Sequence, residues 1–276
     1  MADETDSPKD TQEYKLVVIP AHEELKRKVE KLRAEVSMLV LERDQLRYVV
    51  CRNLERAYML AVGALEHQAF EAKCAVLRLK RKLEMIQAKR NREETVVLAQ
   101  INKALDVEFA EYQQKLNEQI EKINQAIEDS KCRQLSDDET KELKKMYSAI
   151  VKAMHPDLHP NQSEAEQKLF INAIKAYKNG DIKTIRIIYT MREKYIPEEN
   201  EDIAATLSKD KKRLEGVLTA LKEEIAKIKA EFPCTMEAFL DDQEQIEAKK
   251  RELQATIDQY QDMIKKYQER IDEIMR

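Results

Sequence analysis

His155, Asp157 and His159 alternate within the eight residues Met154-His155-Pro156-Asp157-Leu158-His159-Pro160-Asn161, which also hold two of the chain's six prolines. Three chemistries suit such residue types. A metal site needs converging ligands and a supporting outer shell. Here the prolines splay the groups and no cysteine lies near in sequence, so no metal is expected. A His/Asp acid–base pair would need a nucleophile or a glycine-rich phosphate cradle beside it. Neither accompanies this pair, so no catalytic residue and no cofactor are assigned, and the chain reads as a non-enzyme. The third chemistry is recognition. Pro156 fixes the chain direction and offers Asp157 as a carboxylate on a rigid turn, suited to a charge-assisted bond with a partner's arginine. His155 can bond the loop or the partner, and Lys144, Lys145 and Lys152 would steer an acidic surface towards it. The bland alternative is that Pro156 and Pro160 only end a helix and Asp157 only caps the loop.

The elements that position this loop are legible. Ser136-Asp137-Asp138-Glu139 is a capping box, in which the Ser136 hydroxyl takes a backbone N–H and Glu139 reaches back. The helix it opens carries Leu143, Met146, Tyr147, Ile150, Val151 and Met154 on one side. Pro156 ends it, because a residue before proline is driven out of the α region and proline has no N–H to give. Ser163-Glu164-Ala165-Glu166 is a second capping box. Its helix carries Leu169, Phe170, Ala173, Ile174 and Tyr177 and stops at Asn179-Gly180. Asp181 then caps a short helix ending before Pro197. Phe170 and Tyr177, seven apart on one face, are core residues, each contributing roughly 1.5–3 kcal/mol by burial.

Tyr147, then His155-Pro156-Asp157, a polar loop, Phe170, and the pair Ala176-Tyr177 together resemble the J domain of DnaJ-type co-chaperones, over about residues 135–195. The resemblance implies two antiparallel helices held by Tyr147, Ile150, Phe170, Ala173 and Tyr177. It also implies that His155, Pro156 and Asp157, with the lysines of the preceding helix, dock on the ATPase domain of a DnaK-type chaperone and stimulate ATP hydrolysis. The chain departs from the family in three ways. It lacks the Tyr-x-x-Leu-Gly first helix, whose packing place falls to the helix around Leu116–Ile127. Lys152-Ala153-Met154 before the motif is less basic than usual. The Gly/Phe-rich linker, cysteine-rich zinc region and substrate-binding barrels are missing.

Composition frames the rest. Of 276 residues 37% are charged and 5% aromatic, with three glycines and no tryptophan. Sheets need turns and turns need glycine and proline, so the fold class is all-α with long helices. A net charge of −4 on so many charges means solvated helix faces rather than a polyanion binder. Four cysteines, widely spaced and without a Cys-x-x-Cys pair, suit a reducing compartment. With no secretory leader and no apolar run of membrane-spanning length, the reading is cytoplasmic, with no membrane partner.

Residues 1–20 read as a polar tail, extended from Tyr14 to Pro20, and 21–130 as a long helical segment. Leu25, Val29, Leu32, Val36, Leu39, Arg43, Leu46 and Val50 form an a/d seam with one polar interruption, Arg43. A bend or change of partner is expected near Tyr58–Ala64. Residues 89–95 form either a hairpin tip or solvated helix, and Leu98 to Ile127 is another seam with one residue of drift. The 135–196 module follows. In 201–276, Leu207, Lys211, Leu214, Leu218, Leu221, Ile225, Ile228 and Phe232 run up to Pro233, and Phe239 to Ile274 continue the spacing. So short a turn predicts an antiparallel αα-hairpin. Its unequal arms leave apolar positions past Tyr260 uncovered, which points to a homo-oligomer or to a bundle of N- and C-terminal arms. The cluster Arg78, Lys80, Arg81, Lys82, Lys89, Arg90 and Arg92 could meet nucleic acid. Without interleaved aromatics, and with Glu71, Glu84, Glu93 and Glu94 beside it, a solvated helix face is the favoured reading. Three functions therefore stand: a J-type co-chaperone with an unknown client or scaffold partner, a coiled-coil scaffold with a purely structural J-like module, and a nucleic-acid-associated protein.

Overall fold

Between Pro20 and Pro156 the chain has no proline and a single glycine, Gly63, so little interrupts helix propagation. The computed structural model describes residues 20–131, 135–192 and 204–276, and every regular element among them is helical. The polar tail and the extended stretch up to Ile19 lie outside the described residues. Pro20 instead opens the first helix, where its missing N–H costs nothing.

From Pro20 to Asn91 one helical rod runs on the order of 110 Å, divided into α1 (Pro20–Gln45), α2 (Cys51–Tyr58) and α3 (Ala64–Asn91). Two π turns, Leu46–Val50 and Met59–Gly63, separate them. A π turn inserts a residue into the helical repeat and rotates the apolar stripe. The partner changes with it: α1 packs on α9 (Ala204–Ala230), whereas α3 packs on α5 (Ala110–Lys131) and α11 (Gln243–Met275). Residues 92–97 form a hairpin tip with Glu93 in the left-handed region at φ 58°. The chain returns antiparallel as α4 (Leu98–Glu108) and α5 (Ala110–Lys131), which break at Phe109. Arg78–Asp106 at 2.5 Å, the Phe70–Tyr112 ring contact and Arg52–Asp129 at 3.0 Å mark this return.

The C-terminal segment corrects one expectation. α9 (Ala204–Ala230) and α11 (Gln243–Met275) do not fold back on each other as an antiparallel hairpin. The 3₁₀ turn Cys234–Met236 and the short α10 (Glu237–Leu240) carry the chain onward, so that α9 covers α1 and α11 covers α3, both parallel to the rod. The ion pairs fix direction and register. Arg33–Asp210 and Arg47–Glu224 are each separated by 177 positions and Glu42–Lys229 by 187. The midpoint of those separations carries Leu25 to Leu207, Leu32 to Leu214 and Leu39 to Leu221. Two apolar seams therefore lie side by side, with charge pairs reaching five residues forward from either helix, as flanking positions do in parallel helix pairs. Such exposed pairs contribute about 0–1 kcal/mol each; their value is in setting register. The short turn need not reverse the chain, because each arm finds an apolar partner of about its own length on the rod, α9 on α1 and α11 on α3.

At the distal end Ile271 is buried with Ile86, Ile101 and Leu105, and Arg90 donates to the Ile274 carbonyl. The positions past Tyr260 that had no assigned partner are thus covered within one chain. The arginines of the basic cluster are engaged as well: Arg78 with Asp106, Arg81 with Glu84 and Glu108, and Arg92 with Glu94.

Candidate functional site

Three helices build the site: α6 (Asp137–Met154), α7 (Glu164–Lys178) and α8 (Ile182–Met191). Both capping boxes form in full. Ser136 accepts from the Glu139 N–H while Glu139 accepts from the Ser136 N–H, and Ser163 and Glu166 do the same. Asp181 caps α8 through the Thr184 N–H and hydroxyl. Arg186 clamps α8 to α6 with two bonds to Glu142, at 2.9 and 2.6 Å.

α6 and α7 lie antiparallel. Tyr147 stacks on Tyr177 with centroids 4.0 Å apart and planes 7° from parallel, while His155 meets Phe170 edge-on at 5.2 Å. Ile150 and Ala173 are fully buried between them. Gly180, at φ +66°, ends α7 in the left-handed conformation that glycine takes without strain.

The loop sorts its residues by depth. His155, extended at φ −75° and ψ 130° ahead of Pro156, still donates its N–H to the Val151 carbonyl. Its ring turns inward, and Nδ1 accepts the Asp157 N–H at 3.1 Å. Leu158 is buried and anchors the turn. Pro156 is exposed, and the Asp157 side chain retains 42% of its exposure. His159 turns away from His155 and places Nε2 2.8 Å from the Lys152 carbonyl, where it caps the last turn of α6. His155 Nδ1 thus lies 3.8 Å from the Asp157 carboxylate, whereas His159 is committed to the end of α6.

The lysines also divide. Lys145 and Lys152, seven apart and exposed, share one stripe of α6 leading to the loop. Lys144 instead lines a cleft with Tyr48, Arg52, Leu135 and Asn179.

Burial holds the His155 imidazole below its ordinary pKa, opposed by the Asp157 carboxylate and reinforced by the Arg43 charge. A histidine kept neutral in the fold takes up its proton more readily when unfolded. Its contribution to stability is therefore complete above about pH 6.5, the unfolded value, and is lost as pH falls through the depressed folded value. The thermal midpoint is expected to drop more steeply between pH 7.5 and 5 for the native chain than for His155→Gln, as read by circular dichroism.

Two residues that the motif did not reveal complete the site. Asp44, on α1, is fully buried and accepts the Tyr147 hydroxyl at 2.7 Å. Arg43, the polar interruption of the seam, donates to the other Asp44 oxygen through Nε and Nη2, at 2.9 and 2.7 Å. Burial, then the Asp44 carboxylate, raises the Tyr147 pKa far above the phenol range, so it stays a hydrogen-bond donor. The charged break in an otherwise apolar seam was the available signal, and it marks where the module docks. α1, not the helix around Leu116–Ile127, packs against α6; α5 is already committed to α2 and α3. Arg213 of α9 donates to the Asp157 carbonyl at 2.5 Å, tying the loop's backbone to the rod. Val36, Val40, Ile150, Phe170, Leu214 and Leu221 belong to one continuous core.

Comparison with family models, with characterised proteins and with solved structures finds no match to this chain.

Proposed function

We propose that the chain is a cytoplasmic J-domain-type co-chaperone or adaptor, which catalyses nothing itself and acts on the ATPase domain of a DnaK-type chaperone. The observation that carries this reading is the depth sorting of the 155–157 turn. His155 and Leu158 fasten the turn from within, leaving Pro156 and the Asp157 carboxylate on the outer side of two antiparallel helices. A half-exposed carboxylate on a turn buttressed from below can meet a partner's arginine at small ordering cost. Lys145 and Lys152 supply positive charge for an acidic approach surface. The coiled-coil rod then serves to hold a client or a scaffold partner, or a second copy of the chain, at a distance from the module.

A second reading is favoured by a specific contact. The Arg213–Asp157 bond and the shared core make the module part of the rod, which suits a scaffold whose J-like unit is structural only. Single-turnover ATP hydrolysis by a cognate DnaK-type chaperone separates the two. Under the co-chaperone reading the native chain accelerates hydrolysis and Asp157→Asn returns it to the basal rate with the fold intact. No acceleration by the native chain would leave the scaffold.

A further inference from the structure

Cys51 and Cys234 lie 183 positions apart in sequence, yet their sulfur atoms are 2.8 Å apart, in hydrogen-bonding contact as free thiols. Cys51 opens α2, just past the first π turn, and Cys234 begins the 3₁₀ turn that joins α9 to α11. The contact is therefore made at the point where the rod exchanges one C-terminal partner for the other. Neighbouring side chains hold it there. Tyr58 sits between Phe232, edge-on at 5.4 Å, and Phe239, tilted at 6.0 Å, so the joint is pinned on both flanks to α2. Both cysteines are half-buried.

We propose that Cys51 and Cys234 are a redox-modification site: hydrogen peroxide converts them to an intramolecular disulfide that staples the α9–α11 joint to the N-terminal rod. The step balances. One cysteine sulfur attacks the peroxide, an O–O bond breaks, and sulfenic acid and one molecule of water form. The second thiol displaces hydroxide from the sulfenic sulfur, and its proton leaves with it as a second water. Two thiols have lost two electrons and two protons to the peroxide. Burial, then the bond to Cys234, raises the pKa of the Cys51 thiol; whichever sulfur is oxidised first, the other lies 2.8 Å away to resolve it. A dithiol reductant reverses the change by exchange.

What the staple accomplishes follows from where it lies. Without it, the C-terminal segment is held to the rod by side-chain packing and surface ion pairs. With it, α9 and α11 cannot leave the rod at the joint, and a very long loop is closed in the unfolded chain, which favours the folded state. The inference stands apart from the co-chaperone reading and shares no residue with it.

The test uses the reduced full chain. It is treated with hydrogen peroxide, remaining thiols are blocked, and the digest is mapped by mass spectrometry. The expected products are a Cys51–Cys234 linked peptide, faster migration on a non-reducing gel, and a thermal midpoint raised by on the order of 5–10 °C, all reversed by dithiothreitol. A Cys74→Ser, Cys132→Ser chain should behave identically, whereas Cys51→Ser or Cys234→Ser should lose all three signatures. Links that run to Cys74 or Cys132 or between chains, over-oxidised sulfurs with no linked peptide, or a midpoint that does not move would each overturn the proposal.

Discussion

Asp44→Ala is expected to lower the stability of the chain by about 3–5 kcal/mol, the cost of removing one partner from a buried ion pair. The substitution strips Arg43 of two bonds in a position where its side chain is only 17% exposed, and deprives the Tyr147 hydroxyl of its acceptor. The hydroxyl is left desolvated in the interface between α1 and α6, and Arg43 keeps only its longer contact to Glu224, at 3.8 Å. Asp44→Asn keeps the shape and one acceptor oxygen, and should cost less, about 1–3 kcal/mol. Urea unfolding followed by circular dichroism measures both. Equal, small losses in the two variants would mean that solvent reaches the site and that the pair does not anchor the module.

A chain ending at Arg192 is expected to lose the rod as a monomeric structure. The C-terminal segment buries Leu207, Leu214, Leu221, Ile225, Ile246, Ile257 and Ile271. At roughly 1.5–3 kcal/mol for each such side chain, their combined loss matches or exceeds the roughly 5–15 kcal/mol by which domains are stable. It also uncovers the partner seam of Val29, Leu32, Val36 and Val40. The shortened chain should show a weakened, non-cooperative thermal transition or elute as an oligomer in size-exclusion chromatography. A compact monomer with an unchanged midpoint would show that α4–α8 suffice to cover the rod.

The sequence was informative wherever local chemistry decides structure. The two capping boxes, the stop at Pro156, the glycine end of α7 and the residues of both seams could all be read from neighbours within a turn or two. Fold direction was not local. Periodicity says that Leu214 and Leu221 need an apolar partner, and Leu32 and Leu39 satisfy it as well as any facing arm would. The hairpin inference rested on the shortness of the turn at Pro233, and a short turn between helices can carry the chain forward as well as back. The same gap hid the Cys51–Cys234 contact, the Arg213–Asp157 bond and the docking of α1 on α6. Each joins residues more than fifty positions apart that only the register of the rod brings together. Asp44 left a faint trace, since an acidic residue beside the one arginine in an apolar seam suggests neutralisation within the interface.

The parallel course of α9 and α11 along the rod bears on how the molecule carries load. Asp44, beside the module, and Arg90, at the tip, are joined by continuous helix, a separation on the order of 70 Å. A pull between module and tip runs along both strands at once, so interdigitated seam residues and their flanking ion pairs resist together by sliding. An antiparallel hairpin of the same residues, held at its two ends, would instead open one contact at a time. Under such a pull the parallel seams between the module at Asp44 and the hairpin tip at residues 92–97 are loaded in shear.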